Sequence, residues 1–165
     1  MGSILYAVQK IIDYIKHNIN NIEFFEIEIY PENKIQYLLL LRYMIDGKVY
    51  TEKYTFKAYS LSLEEYQDTI RIIEEFLEEL EKEIYPTMEK YLIEYIKRKY
   101  PGSKILNIYK YEGTVTAEIT TADGKFMIIK IIYYSPVKKH YEGIPGIGAI
   151  IYLKPTPHII IENKY

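Results

Sequence analysis

A chain of 165 residues with a formal charge of −2 is long enough to bury roughly 68–70% of its unfolded surface. It lacks the global basic field of a nonspecific nucleic-acid binder. Cysteine is absent, which excludes disulfides, thiolate-bound zinc and a thiol nucleophile in one step. No apolar run approaches the roughly 20 residues of a membrane span, and the N-terminus reads as a polar-interrupted helix rather than a signal peptide. A cytoplasmic protein with no membrane partner is expected.

The first element is a helix from Ser3 to Ile19, where Ile4, Leu5, Val8, Ile11, Ile12, Ile15 and Ile19 recur at helical spacing. Three strands follow. Glu23 to Tyr30 alternates Phe25, Ile27 and Ile29 with Glu26 and Glu28, and Pro31-Glu32-Asn33 turns the chain. Ile35 to Ile45 is nearly continuous in Leu and Tyr, as expected of a strand covered on both faces. Asp46-Gly47 is a strong hairpin signal leading into Val49 to Ala58.

Ser62 to Tyr100 is the longest helical stretch. Leu63, Tyr66, Ile70, Ile73, Leu77, Leu80 and Ile84 step by threes and fours, which marks one helix face. Ser62 and Glu65 form a capping box, with Leu61 and Tyr66 placed for the hydrophobic staple. Pro86 is expected to break the stretch and open a second helix. That helix turns Met88, Tyr91, Leu92, Tyr95 and Ile96 inward and stops at Pro101-Gly102. Ile105–Tyr111, Thr114–Thr120 and Phe126–Tyr134 read as strands, the last two joined at Asp123-Gly124. Ser135 to Gly146 reads as a loop, and Ala149–Leu153 and Ile159–Ile161 as final strands.

The predicted class is α+β. Two helix-plus-antiparallel-strand units, each α-β-β-β, flank an acidic central helix broken at Pro86, with additional C-terminal strands. The chain reads as a single domain, 1–165, with pseudo-repeats 3–58 and 87–134, an inserted helix 62–85 and a C-terminal extension 135–165. Ile12-Asp13-Tyr14-Ile15-Lys16 matches Ile93-Glu94-Tyr95-Ile96-Lys97, and Asp46-Gly47-Lys48 matches Asp123-Gly124-Lys125. Helix followed by antiparallel strands resembles the PepSY and cystatin-like folds in topology alone, which implies no activity. Abundant Lys and Glu with few Gln and Met fit a hot environment, although an AT-rich coding sequence also enriches Ile, Tyr, Lys and Asn. In composition the chain is similar to small proteins of thermophilic archaea and their viruses.

Residues 62–85 hold nine acids against Arg71 and Lys82. Glu64 and Asp68, Glu74 and Glu78, and Glu75 and Glu79 are i,i+4 pairs with adjacent carboxylates. Such pairs could hold a divalent cation or imitate a phosphate backbone to block a nucleic-acid-binding partner, but a solvated face is the simpler reading. Ile72, an apolar residue among the acids, implies either partial tertiary cover or a contact with another chain. The second reading makes Ile72, Glu74, Glu75, Phe76, Glu78 and Glu79 partner-interface candidates. The run Lys138-Lys139-His140-Tyr141-Glu142-Gly143-Ile144-Pro145-Gly146-Ile147-Gly148 offers a ligand or phosphate site through Lys138, Lys139, His140, Gly143, Gly146 and Gly148. It is no P-loop, because the Gly-Lys-Ser/Thr ending is missing and a strand follows.

Several of the twenty tyrosines, Tyr109, Tyr111, Tyr133 and Tyr134 among them, fall on polar strand faces. Half-buried packing explains them most simply. Of the functional readings, an interface fits the acidic balance better than a base-stacking surface. His17, His140 and His158 lie in separate elements without metal-site spacing. Glu162-Asn163-Lys164 resembles the Glu-x-Lys half of a metal-dependent nuclease motif, with Asp123 as the upstream acid. The pattern departs from that motif in its polar middle residue.

No convergent catalytic set emerges, so a small non-enzymatic binding protein that forms a homodimer and takes a protein partner, without cofactor, is expected. The alternative is a nucleic-acid-binding or nuclease-like protein using Asp123, Glu162, Lys164 and His140 with Mg²⁺ or Mn²⁺.

Overall fold

The computed structural model describes residues 3–57, 62–141 and 144–163, with side chains over 4–57, 62–139 and 146–160. The class is α+β, with two α-helices, two main sheets and a two-stranded ribbon among the described residues. The elements are α1 (Ser3–Asn18), β1 (Phe24–Asn33), β2 (Gln36–Ile45), β3 (Lys48–Lys57) and α2 (Leu63–Lys99). They continue as β4 (Lys104–Tyr111), β5 (Thr114–Thr120), β6 (Phe126–Ile132), β7 (Tyr134–Val137), β8 (His140–Tyr141), β9 (Ile144–Pro145), β10 (Ile147–Tyr152) and β11 (His158–Asn163). The chain divides into two compact units, Met1–Glu79 with Pro136–Ile151 and Leu80–Ser135 with Tyr152–Tyr165.

In the first unit the sheet order is β3-β2-β1-β10-β7. Ile27 faces Leu41, Ile29 faces Leu39 and Phe25 faces Tyr43 in the β1–β2 register, so all six side chains share one face, and all are buried. The apolar stripe of α1 (Ile4, Val8, Ile11, Ile12, Ile15) is buried as its spacing predicts, and so are Tyr66, Ile73, Phe76 and Leu77 of α2. Ring contacts of Tyr14 with Tyr43, Tyr37 with Tyr66 and Phe25 with Phe76 place both helices on that sheet face. The Asp46-Gly47 turn has φ of 50° and 75°, the paired left-handed geometry of a type I′ hairpin. β1 runs through Pro31, where a turn is expected. A register shift between Pro31 and Asn33 accommodates the missing N–H, and Asn33 Oδ1 accepts from the Ile35 amide to close the later turn.

In the second unit the order is β11-β6-β5-β4. Val115, Ala117, Ile119, Met127, Ile129 and Ile131 form its buried sheet face, while Met88, Leu92 and Ile96 are the buried residues of the adjoining helical segment. The β4–β5 turn is also left-handed at both residues, Glu112 (φ 35°) and Gly113 (φ 77°). The Asp123-Gly124 turn differs from its Asp46-Gly47 counterpart, since only Gly124 has positive φ. It is closed by the Gly124 amide on the Thr121 carbonyl.

The helix does not break at Pro86: α2 is continuous from Leu63 to Lys99 with the proline inside it. Leu80, Ile84, Met88, Leu92 and Ile96 are all buried and form an i,i+4 row across the proline, while Pro86 itself is exposed. The lost hydrogen bond therefore lies on the solvent side, where water can satisfy the freed carbonyl. Its cost of about 3 kcal/mol is outweighed by the apolar row. The Glu65 amide donates to Ser62 Oγ at 3.1 Å, as the capping box predicts, and Leu61 lies outside the described residues. Leu63 (71% exposed) and Tyr91 turn outward, not into the core. The stretch expected to be a loop after Ser135 contains β7 and the short β8–β9 ribbon.

Candidate functional site

Between α1 and the first half of α2, the first unit carries a groove of about 230 Å³. Ile12, Ile72 and Phe76 make its apolar floor, and Asp13, Glu75, Glu79, Gln9 and Lys16 stand around it. Phe76 is a core residue whose ring packs near Phe25 at 6.3 Å between centroids, so its presentation as surface is corrected: it contributes only the groove floor. Ile72 is half-buried there. Glu75 and Glu79, one helical turn apart, face Asp13 of the other helix across the groove, while Glu74 and Glu78 are exposed and do not line it. Lys16 Nζ sits 5.8 Å from the Phe76 ring centroid, a cation over an aromatic face. The volume is below the roughly 300–1,000 Å³ of small-molecule pockets and suits one or two inserted side chains. Among the described residues no three His, Asp or Glu converge closely enough to hold a metal ion.

The glycine-rich segment takes a different form from a phosphate cradle. Gly146 and Gly148 are buried beside β1. A Cβ at Gly146 would collide with Tyr30, and one at Gly148 with Ile27 and Glu28, so both glycines serve close backbone approach. The Gly146 amide donates to the Lys139 carbonyl. Lys139 Nζ donates to Glu28 Oε1 at 2.9 Å and lies 4.4 Å from the Tyr30 ring centroid. The Glu28 bond, foremost, raises the lysine's pKa above its ordinary value. Glu28 is 1% exposed, and its Oε2 is buried without a hydrogen-bond partner. Lys138 is exposed. Gly143 and the His140 side chain lie outside the described residues.

In the second unit Glu81 Oε1 accepts from both Tyr133 Oη (3.0 Å) and Lys110 Nζ (3.1 Å), and Lys110 also sits over the Tyr85 ring. Burial first, then the Glu81 bond, raises the Tyr133 hydroxyl's pKa. Asp123 borders a recess of about 400 Å³ with Lys99, Tyr100, Lys125, Met127 and Ile159. Its carboxylate is engaged by Thr121 Oγ1 and, at 3.8 Å, by Lys125. The Thr121 bond, chiefly, lowers its pKa. The register Asn163 to Phe126 puts the Asp123 turn and the end of β11 at the same end of the sheet. The Glu162 side chain and Lys164 lie outside the described residues. His17 bonds the Asp13 carbonyl of its own helix, and His158 is exposed on β11.

Comparison with protein-family models, curated proteins and solved structures finds no match. The sequence reading does not single out Asp13, Lys16, Glu28, Glu81 or Lys110. Glu28 left one signal, a carboxylate in the middle of a central strand, and Asp13 and Lys16 left only their place on the polar side of an amphipathic helix.

Proposed function

We propose that the chain is a small non-enzymatic interaction protein whose groove between α1 and α2 receives a basic, amphipathic segment of a protein partner. The groove's construction carries this reading: an apolar floor, three carboxylates around it, and Lys16 already resting a cation over Phe76. A partner's arginine or lysine would take the place of Lys16, while its apolar neighbours cover Ile72. The rim carboxylates steer association and, once reversed, repel the basic segment, while the floor supplies the apolar contact. Assembly with a second copy belongs to the same proposal, as does a cytoplasmic setting. The Lys- and Glu-rich composition supports an origin in a hyperthermophilic archaeon or its virus.

The test places a photo-crosslinking residue at Ile72 in cells of the source. Crosslinks to a basic segment, lost in the E75K/E79K variant at unchanged melting temperature, are expected. Crosslinks that survive the charge reversal, or that land on acidic segments, would refute the groove. A strictly monomeric mass by sedimentation would remove the homodimer.

A further inference from the structure

The overall charge of −2 conceals a division between the units. The first carries ten basic against fifteen acidic residues and the second eleven against eight, so the second is net +3. Its sheet has one covered face. Lys110, paired with Val115, reaches Glu81 and Tyr85 of α2, which assigns the helix to the face of Val115, Ala117 and Ile129. The opposite face carries Tyr109 and Tyr111, which are 42% and 69% exposed.

Cross-strand registers define what stands beside them. Tyr109, Thr116 and Lys130 share one row, Tyr111, Thr114 and Ile132 the next, and Asn107, Glu118 and Ile128 the row on the other side. Lys104 opens the same face opposite Thr120. Two tyrosines at i and i+2 on one strand face are about 7 Å apart along it, wide enough for each ring to take one base. Thr116 is 5% exposed and Thr114 Oγ1 donates to the Tyr111 carbonyl, so it is Lys104 and Lys130 that stand where a sugar–phosphate backbone would run.

From this face we infer a single-stranded nucleic-acid site in the second unit, with Tyr109 and Tyr111 stacking on successive unpaired bases and Lys104 and Lys130 meeting phosphates. An open antiparallel sheet with paired exposed aromatics is suited to splayed bases because every base offers a π-face. Duplex is excluded from the same contacts, since its bases are already stacked on one another. The occupant is chosen over a second protein surface by charge: the described side chains of this face set Lys104 and Lys130 against Glu118, whereas the chain's concentrated negative charge lies in the other unit. Asn107 Nδ2 donates to Glu118 Oε1 at 3.3 Å, which ties up part of the one carboxylate among the described side chains of the face. Few phosphates are contacted, so binding is weak to moderate and only mildly salt-dependent, with a log–log slope near about −1.4 for two neutralised charges.

Fluorescence anisotropy with labelled oligo(dT) and oligo(U) of about 15 nucleotides, on the full chain, tests it. Expected are saturable binding of the single strands and much weaker binding of a duplex of equal length. The loss should be about tenfold for Y109A or Y111A and roughly 100-fold for both. Y109F/Y111F, which keeps the rings, should bind as the parent does. K104E/K130E should weaken binding and flatten the salt dependence. Tyr109, Tyr111 and Lys104 are exposed and Lys130 is half-buried, so melting temperature should hold in the tyrosine variants, and the single variant K104E repeats the charge test without Lys130. Three results would overturn the site: no binding at about 100 μM protein, binding that survives Y109A/Y111A, or loss in the phenylalanine pair. Sedimentation supplies a fourth, because self-association abolished by Y109A/Y111A would make this face a contact between copies.

Discussion

Glu28 and Lys139 form an ion pair whose two halves are unequally placed. The carboxylate is buried, with one oxygen unpartnered, while the lysine side chain is 48% exposed. Removing the lysine strands a buried charge, which costs about 3 kcal/mol or more. Removing the charge on Glu28 leaves an ammonium that returns to water. K139M should therefore destabilise the chain markedly more than E28Q, by urea unfolding at pH 7. Equal losses would show that Glu28 gains other partners once the lysine is gone. The double variant E28L/K139M should recover most of the K139M loss, since apolar replacements of a buried pair are often neutral.

The buried tyrosines give a pH dependence of defined sign. Burial, aided by Tyr37, pushes the Tyr66 hydroxyl from 10.0 up to about 12, and Tyr133 is raised by burial and Glu81. A group that holds its proton more tightly when folded contributes its stability in full below the unfolded value. That contribution is lost as pH climbs from about 10 through the folded value. Melting temperature should be level up to about pH 9.5 and fall beyond pH 10. Y66F, which cannot ionise, should fall less steeply between pH 10 and 12. An unchanged slope in Y66F would remove Tyr66 as a cause.

At the scale of elements, α2 shows what periodicity resolves and what it cannot. The apolar positions of α1 and most of those in the first half of α2 were legible because each helix buries one face and its period repeats that face. β1 instead buries Glu26 and Glu28 along with its apolar side, so alternation there revealed only one of two covered faces. The continuity of α2 was not, because a proline's effect depends on which side of the helix it occupies, and only the packed structure supplies that. P86A should raise stability by about 1–3 kcal/mol with unchanged helix content by circular dichroism. A gain in helicity would instead mean that the proline limits the helix in solution. Asp46-Gly47 was legible as a hairpin turn and Glu112-Gly113 was not, since glutamate is an unusual first residue there and only Gly113 hinted at it. The groove was half legible: Ile72 among glutamates flagged α2, but Asp13 and Lys16 belong to it only through packing across the two helices. The role of Gly146 and Gly148 was hidden for the same reason, because a close approach to β1 leaves no local pattern. Tyr109 and Tyr111 were visible as polar-face tyrosines. The overall acidic balance argued against stacking there, and that balance proves to reside in the other unit.

For the whole molecule the consequence of one unbroken helix is cooperativity. The chain passes between its units after Glu79, Ser135 and Ile151, so neither unit is a contiguous piece that a single truncation could release. α2 supplies Ile73, Phe76 and Leu77 to the first and Leu80, Ile84, Met88, Leu92 and Ile96 to the second. Helix propagation is cooperative, and its ends are costly to create in mid-sequence. Unfolding one unit alone would make a new helix end near Glu79, leaving up to four carbonyls or amides without helical partners. Urea unfolding followed by far-ultraviolet circular dichroism and by tyrosine fluorescence should therefore give coincident single transitions. K82G/E83G changes two exposed positions just past the division and weakens the helix there by about 1 kcal/mol per glycine. It should lower the midpoint and pull the two probes apart. Separate transitions already present in the parent chain would show that the helix does not couple the units, and coincidence surviving in the glycine variant would place the coupling in the later crossings of the chain.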